Sequence, residues 1–287
     1  MSFNLSFILS GVPQKSITIE KLVNFIGDNA TKRINFAGSH AHALYRSPKS
    51  KHVGTIKMPF KDTIEPILKK KFNATLFKSQ FDDKYYWNIK SEEEYASFEA
   101  FVNEYKDIVF LRDHLDLSLA LSMNLEGDEH TPIGDLEIQA KYHNDKEAEA
   151  ELIEICNEWL EKLPFLKEAD YICAMPGSSL ATESLPHRIV NGLEGFEFED
   201  ISDSVRWTSK KRSVKDAKSA EEKLEILEES GLEIAKDLDL SGKTVLLFDD
   251  LYMSGLSMQY VAMKLKEACA ARVFGLCVVK SRSNTAR

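Results

Sequence analysis

The chain has 287 residues, with 46 Asp and Glu against 37 Lys and Arg, a formal net charge of −9, and 43% apolar residues. This is enough apolar material for a sizeable core in one large or two small domains. The acidic balance argues against general nucleic-acid binding, which needs a basic face over the phosphate backbone, so any polyanion site must be local.

The amino-terminal residues Met1, Ser2 and Phe3 begin neither a basic stretch nor a continuous apolar core, so no signal peptide is expected. No apolar run is long enough to span a bilayer, so no membrane association and a cytoplasmic location are expected. Cys156, Cys173, Cys269 and Cys277 stand singly in apolar surroundings, without Cys-x-x-Cys spacing, and read as core thiols of a reducing compartment.

Phe3, Leu5, Phe7 and Leu9 alternate with polar residues and predict a half-buried strand. His40 and His42 put two imidazoles on one side of a second extended stretch; a transition-metal site needs more ligands, so a hydrogen-bonded surface pair is expected. Ser91 with Glu94 forms a capping box ahead of Tyr95, Phe98, Phe101, Val102 and Tyr105, which share one helical stripe and read as core. Leu115, Leu117, Leu119, Leu121, Met123 and Leu125 alternate with small or polar residues and predict another half-buried strand. Residues 1–125 thus read as a smaller α+β domain with mainly antiparallel strands and no assignable function. Turn formers and charge at residues 126–132 mark the boundary.

Residues 131–287 alternate helices with apolar strands, which implies an α/β domain with a parallel sheet and right-handed crossovers. A helix is expected from about Lys146 to Leu163, then a strand at residues 171–175 that ends in Pro176, Gly177, Ser178 and Ser179. A basic stretch with Lys210, Lys211 and Arg212 follows, then a Glu-rich helix near residues 220–230. Residues 245–248 are apolar at every position, as in a strand buried on both faces, and deliver Asp249 and Asp250. Met253, Ser254, Gly255, Leu256 and Ser257 then open a helix. A hydroxyl-and-glycine turn at a helix N-terminus suits a phosphate, because backbone N–H groups and the positive end of the helix converge there. Two carboxylates just before it would repel that phosphate, so ribose hydroxyls and a divalent cation are their expected partners. The same residues also fit an ordinary buried strand followed by a capped helix.

The acidic pair and the loop after it resemble the signature of type I phosphoribosyltransferases. The resemblance implies that Asp249 and Asp250 hold the ribose hydroxyls of phosphoribosyl pyrophosphate and Mg²⁺, and that residues 253–257 hold its 5′-phosphate. Two positions depart from the pattern: Met253 stands where a threonine is usual, and Leu256 replaces a smaller residue. Ala140, Lys141 and Tyr142 ahead of a helix, the Pro176 turn, the basic stretch and the acidic-pair motif together resemble the ComF-like branch over residues 131–287. That branch's cysteine zinc module has no counterpart here, because no cysteine precedes Cys156.

By the same resemblance the turn of Pro176, Gly177, Ser178 and Ser179 presents backbone N–H groups to the pyrophosphate, while Arg188, or Lys210, Lys211 and Arg212, neutralise it. The turn also fits a plain strand-to-helix connection, and the basic run a solvated loop. The activity implied is phosphoribosyl transfer to an unidentified nitrogen acceptor. The alternative is a non-catalytic ligand sensor or effector that meets a protein partner through residues 1–125; a homo-oligomer is compatible with either.

Overall fold

The computed structural model describes residues 12–47, 51–177, 183–209 and 217–282; the strand expected at Phe3 to Leu9 lies outside them. In chain order the elements are α1 (Ile19–Gly27), β1 (Arg33–Asn35), β2 (Leu44–Arg46), β3 (Gly54–Met58), α2 (Ile64–Phe72), β4 (Phe77–Lys78), β5 (Tyr85–Ile89) and α3 (Glu92–Glu104). They continue with β6 (Val109–Leu111), β7 (Leu117–Met123), β8 (Leu125–Glu126), β9 (Glu129–His130), α4 (Pro132–Tyr142), α5 (Lys146–Lys162), β10 (Tyr171–Ala174) and α6 (Leu185–Gly192). The last are β11 (Glu199–Asp200), β12 (Val205–Trp207), α7 (Ala220–Ser230), β13 (Leu232–Ile234), β14 (Thr244–Tyr252), α8 (Leu256–Glu267) and β15 (Arg272–Lys280).

The apolar run of β14 is buried on both faces, as its composition requires, and it lies inside a sheet of order β1-β6-β7-β15-β14-β10-β11. From β7 to β11 every pairing is parallel, and β6 and β1 add antiparallel strands at one side. Side chains alternate across a strand, so Leu246 and Phe248 pack with α4, α5 and α6 through Ala140, Leu152, Cys156 and Ile189. Val245 and Leu247 pack on the opposite face with α1, α7 and α8 through Leu22, Leu224, Leu227 and Val261. The layers are therefore helix, sheet, helix, with β14–α8–β15 as the expected parallel crossover.

Leu117 to Met123 form a strand as expected, but β7 is covered on both faces rather than half-buried, and it pairs in parallel with β15. Its alternate residues Ser118, Ala120 and Ser122 are small, so a helical layer closes over them. The Ser122 hydroxyl is satisfied by bonds to the Met123 carbonyl (3.0 Å) and Thr131 Oγ1 (3.2 Å). Strands β1, β6 and β7 precede residue 126 yet hydrogen-bond into the same sheet as β10, β14 and β15. The expected division between residues 1–125 and 131–287 does not coincide with a break in that sheet.

A separate antiparallel sheet, β2-β3-β5-β4, occupies the first part of the chain. Beside it, Ser91 caps α3 by accepting from Glu94 N at 3.1 Å, and Tyr95, Phe98 and Phe101 are buried. The Glu94 carboxylate accepts from Lys90 N and Trp87 Nε1 instead of closing the box on Ser91. His40 and His42 lie in a turn, not a strand, because the Asn35 side chain accepts from Gly38 N at 2.8 Å and folds the chain back. Cys156, Cys173 and Cys277 are core thiols, whereas Cys269 is exposed just beyond α8. No helix among the described residues is long and apolar enough to cross a membrane.

Candidate functional site

Consecutive strand residues face opposite ways, and that separates the acidic pair. Asp249 lines a cavity of about 500 Å³ on the α7–α8 face, together with Met253, Ser254, Gly255, Leu256 and Ser257. Its Oδ1 accepts from Asp250 N at 2.9 Å. Asp250 is not among the lining residues: it is 8% exposed, and its Oδ2 lies 2.9 Å from Lys141 Nζ of α4. Lys141 also lies 3.1 Å from Glu137 Oε1, one helical turn earlier. Burial acts to lower the Lys141 pKa, but Asp250 and Glu137 outweigh it and hold the ammonium above its ordinary value. Burial, aided by the Asp250 charge and opposed by Lys141, pushes the Glu137 carboxyl up.

The loop after β14 requires glycine. Gly255 has φ of 75°, and a Cβ there would stand 1.9 Å from Tyr252 Oη. The tyrosine cannot move aside cheaply, because it is buried and its hydroxyl donates to Asp113 Oδ2 at 2.9 Å. Gly255 is the N-cap of α8, and the first N–H groups of a helix have no intrahelical acceptor. Ser254 Oγ accepts from Leu256 N at 3.4 Å, and Ser254 and Ser257 bring hydroxyls to the cavity. Met253, in place of a hydroxyl donor, is 44% exposed at the mouth.

Lys280, at the carboxyl end of β15, pins this loop. It is 2% exposed, and its Nζ donates to Met253 O at 3.0 Å and Ser281 O at 2.7 Å. Burial, with the nearby Arg33 charge second, lowers its pKa to about 7. The folded chain therefore gives up this proton more readily than the unfolded chain. The Lys280 contribution to stability falls as pH drops from the ordinary lysine range to about 7, and is regained as pH rises through that window. Urea denaturation at pH 7 and pH 9 should show wild type gaining more stability at the higher pH than Lys280→Met.

One cation of the cavity was missed in the sequence. Lys223 is 9% exposed and lines the cavity from α7, whose N-cap Ser219 accepts from Glu222 N at 3.1 Å. Burial lowers its pKa. Lys223 shares the helical spacing of the buried Ile226, Leu227 and Ser230, and a lysine on that stripe of a Glu-rich helix was the available signal.

Pro176 and Gly177 follow β10 at the same edge of the sheet but do not line this cavity; the Pro176 carbonyl accepts from Trp207 Nε1 at 2.9 Å. Arg188 belongs to the α4–α6 layer. Its Nε lies 2.7 Å from Glu149 Oε2, and its other nitrogens donate to the Glu183 and Ala140 carbonyls, so it is not brought to Asp249. His187 Nδ1 lies 2.7 Å from Ser184 Oγ. Ser178, Ser179, Lys210, Lys211 and Arg212 lie outside the described residues. Among the described residues no group of three or more His, Cys, Asp or Glu is placed to hold a metal ion.

No family model matches this chain, and no curated protein matches it. Among solved structures the chain is similar to a hypoxanthine phosphoribosyltransferase from Staphylococcus aureus, with 13% identity, 48% of this chain and 68% of that chain covered, and a TM-score of 0.31. It is also similar to a hypoxanthine-guanine-xanthine phosphoribosyltransferase, at 16% identity, 52% and 63% coverage, and a TM-score of 0.26. A Trypanosoma cruzi hypoxanthine phosphoribosyl transferase gives 11% identity, 53% and 68% coverage, and a TM-score of 0.27. Likeness at these TM-scores carries no argument for a shared reaction.

Proposed function

We propose that this chain is a phosphoribosyltransferase-like protein that binds phosphoribosyl pyrophosphate, or a related ribose 5-phosphate, and transfers the phosphoribosyl group to a nitrogen acceptor. The observation that carries the reading is the gathering of Asp249 and residues 253–257 around one cavity, where a parallel strand turns into α8. Ligands of α/β sheets bind at such strand ends. In this reading the Asp249 carboxylate accepts from ribose hydroxyls, and the first turn of α8 with Ser254 and Ser257 donates to the 5′-phosphate.

Mg²⁺ takes one or two protein carboxylates and completes its shell with water and ligand oxygens, so Asp249 suffices as its protein ligand here, and the ion would neutralise departing pyrophosphate. The C1′–oxygen bond breaks with its electron pair leaving on pyrophosphate, and the acceptor nitrogen's lone pair forms the new bond to C1′. The chain's contribution is fixed charge and donors aimed at the ligand.

Asp249→Asn and Ser254→Ala should each weaken ribose 5-phosphate binding about ten- to hundredfold, since a hydrogen bond involving a charged group is worth roughly 1.5 to 3 kcal/mol. Only the Asp249 effect should change with Mg²⁺. Isothermal titration with and without the metal measures both, and unchanged affinity in two folded variants overturns the cradle.

A second reading, a non-catalytic ligand sensor or effector, draws on two observations. Lys141 engages Asp250 away from the cavity, and Met253 stands at the mouth of the loop. Pyrophosphate release from phosphoribosyl pyrophosphate with a nucleobase panel separates the two readings: ligand binding without release favours the effector.

A further inference from the structure

The cavity beside α8 contains a cation that the loop motif does not account for. Lys223 is nine-tenths buried on the same stripe of α7 as the buried Ile226 and Leu227, and it lines the cavity with Ser254, Gly255 and Ser257. Its side-chain ammonium has no hydrogen-bond or ion-pair partner among the described residues. A buried ammonium without an ion-pair partner in contact is a net cost to the folded chain, and a methionine would fill the same stripe without it. Ala217, Leu251, Met253, Leu256 and Met258 give the cavity apolar walls, and its polar groups other than Asp249 are donors: first-turn N–H groups of α8 and the hydroxyls of Ser254 and Ser257. Donors at the positive end of a helix, facing a buried cation, call for a compact anion with several acceptor oxygens. Asp249 in the same cavity excludes a ligand that is anionic throughout, and instead fits one that carries hydroxyls away from its charged end.

We propose that Lys223 is a phosphate-binding residue of this site, pairing with the terminal phosphate of a phosphorylated sugar that the first turn of α8 also holds. This rests on the phosphoribosyl reading for the sugar, though not for the anion. It also answers the two departures in the loop. Met253 and Leu256 leave only two hydroxyls beside the backbone donors, and the missing attraction comes from a side chain on another helix, as full charge.

The test is equilibrium titration of the full chain, as wild type, Lys223→Met and Lys223→Arg, with inorganic phosphate, ribose 5-phosphate and ribose. Folding is checked by circular dichroism and thermal unfolding. Lys223→Met should bind ribose 5-phosphate at least about tenfold more weakly, the scale of one lost charge-assisted hydrogen bond, while Lys223→Arg retains most of the affinity. Phosphate should raise the thermal midpoint of wild type but not of Lys223→Met, and ribose should not distinguish the three proteins. Equal ribose 5-phosphate affinity in wild type and folded Lys223→Met overturns the Lys223 assignment and leaves the phosphoribosyl reading standing. Phosphate binding that depends on Lys223, with ribose 5-phosphate no tighter than phosphate, overturns the phosphoribosyl reading and supports the anion site. A Lys223→Met chain that does not fold marks the lysine as structural and overturns the assignment, and a wild type that binds none of the three probes overturns both.

Discussion

Lys141→Met should destabilise the chain by about 3 to 5 kcal/mol, the range for removing one partner from a buried ion pair. The substitution leaves Asp250 and Glu137, both nearly enclosed, without the ammonium that lies 2.9 Å from one and 3.1 Å from the other. Urea denaturation at pH 7 gives the magnitude, and its pH dependence identifies the cause. Burial already raises the Glu137 pKa in wild type, and the loss of Lys141 raises it further. A carboxyl whose folded pKa lies above its unfolded value favours folding below the unfolded value and loses that contribution as pH rises through the folded one. The variant should therefore recover part of its deficit toward pH 4 to 5, close to the ordinary carboxyl range of about 4. A deficit that is constant over pH 4 to 8 would assign the cost to packing instead. The double variant Lys141→Met with Asp250→Asn should be more stable at pH 7 than Lys141→Met alone, because it removes one of the stranded charges.

Gly255→Ala should damage both the fold and the site. A left-handed conformation costs a residue with a Cβ about 1 to 2 kcal/mol. The added Cβ also falls 1.9 Å from Tyr252 Oη, so the ring must leave its hydrogen bond to Asp113. Asp113 is buried, that burial raises its pKa, and leaving a buried acceptor unsatisfied costs roughly 1 to 3 kcal/mol. Tyr252→Phe separates the two effects: it loses the hydrogen bond but retains the loop, so its stability cost should be smaller and its ligand affinity close to wild type. Gly255→Ala should lose ribose 5-phosphate binding beyond detection in a titration that reads wild type easily. A folded Gly255→Ala protein with unchanged affinity would show that the loop does not hold the phosphate.

Local patterns carried a good part of this structure. The apolar run at residues 245–248 named a strand buried on both faces, because no residue there tolerates water. Ser91 named a helix start, since its side chain accepts from a backbone N–H one turn ahead. The loop of Ser254, Gly255 and Ser257 was legible for the same reason: turn and cap chemistry is decided within a few residues.

What the sequence could not convey is which face a residue meets and which distant element meets it. Leu117 to Met123 looked half-buried because leucines alternate with small residues, yet the small positions are where a second helical layer closes in, and only the packing shows it. Asp249 and Asp250 are neighbours in the chain and read as a pair; the alternation of β14 sends one to the α7–α8 cavity and the other to Lys141, more than a hundred positions earlier. Arg188 was expected at the pyrophosphate, but its partners Glu149 and the Ala140 carbonyl come from two other helices. Lys223 was hidden by the acidic helix around it until α7 turned that position inward. The sequence by itself determined the strand at residues 245–248, the Ser91 cap and the turn before α8, because their causes are local. The tertiary structure decided the continuous sheet, the split acidic pair and the buried lysine, because each depends on contacts whose sequence separation no periodicity encodes.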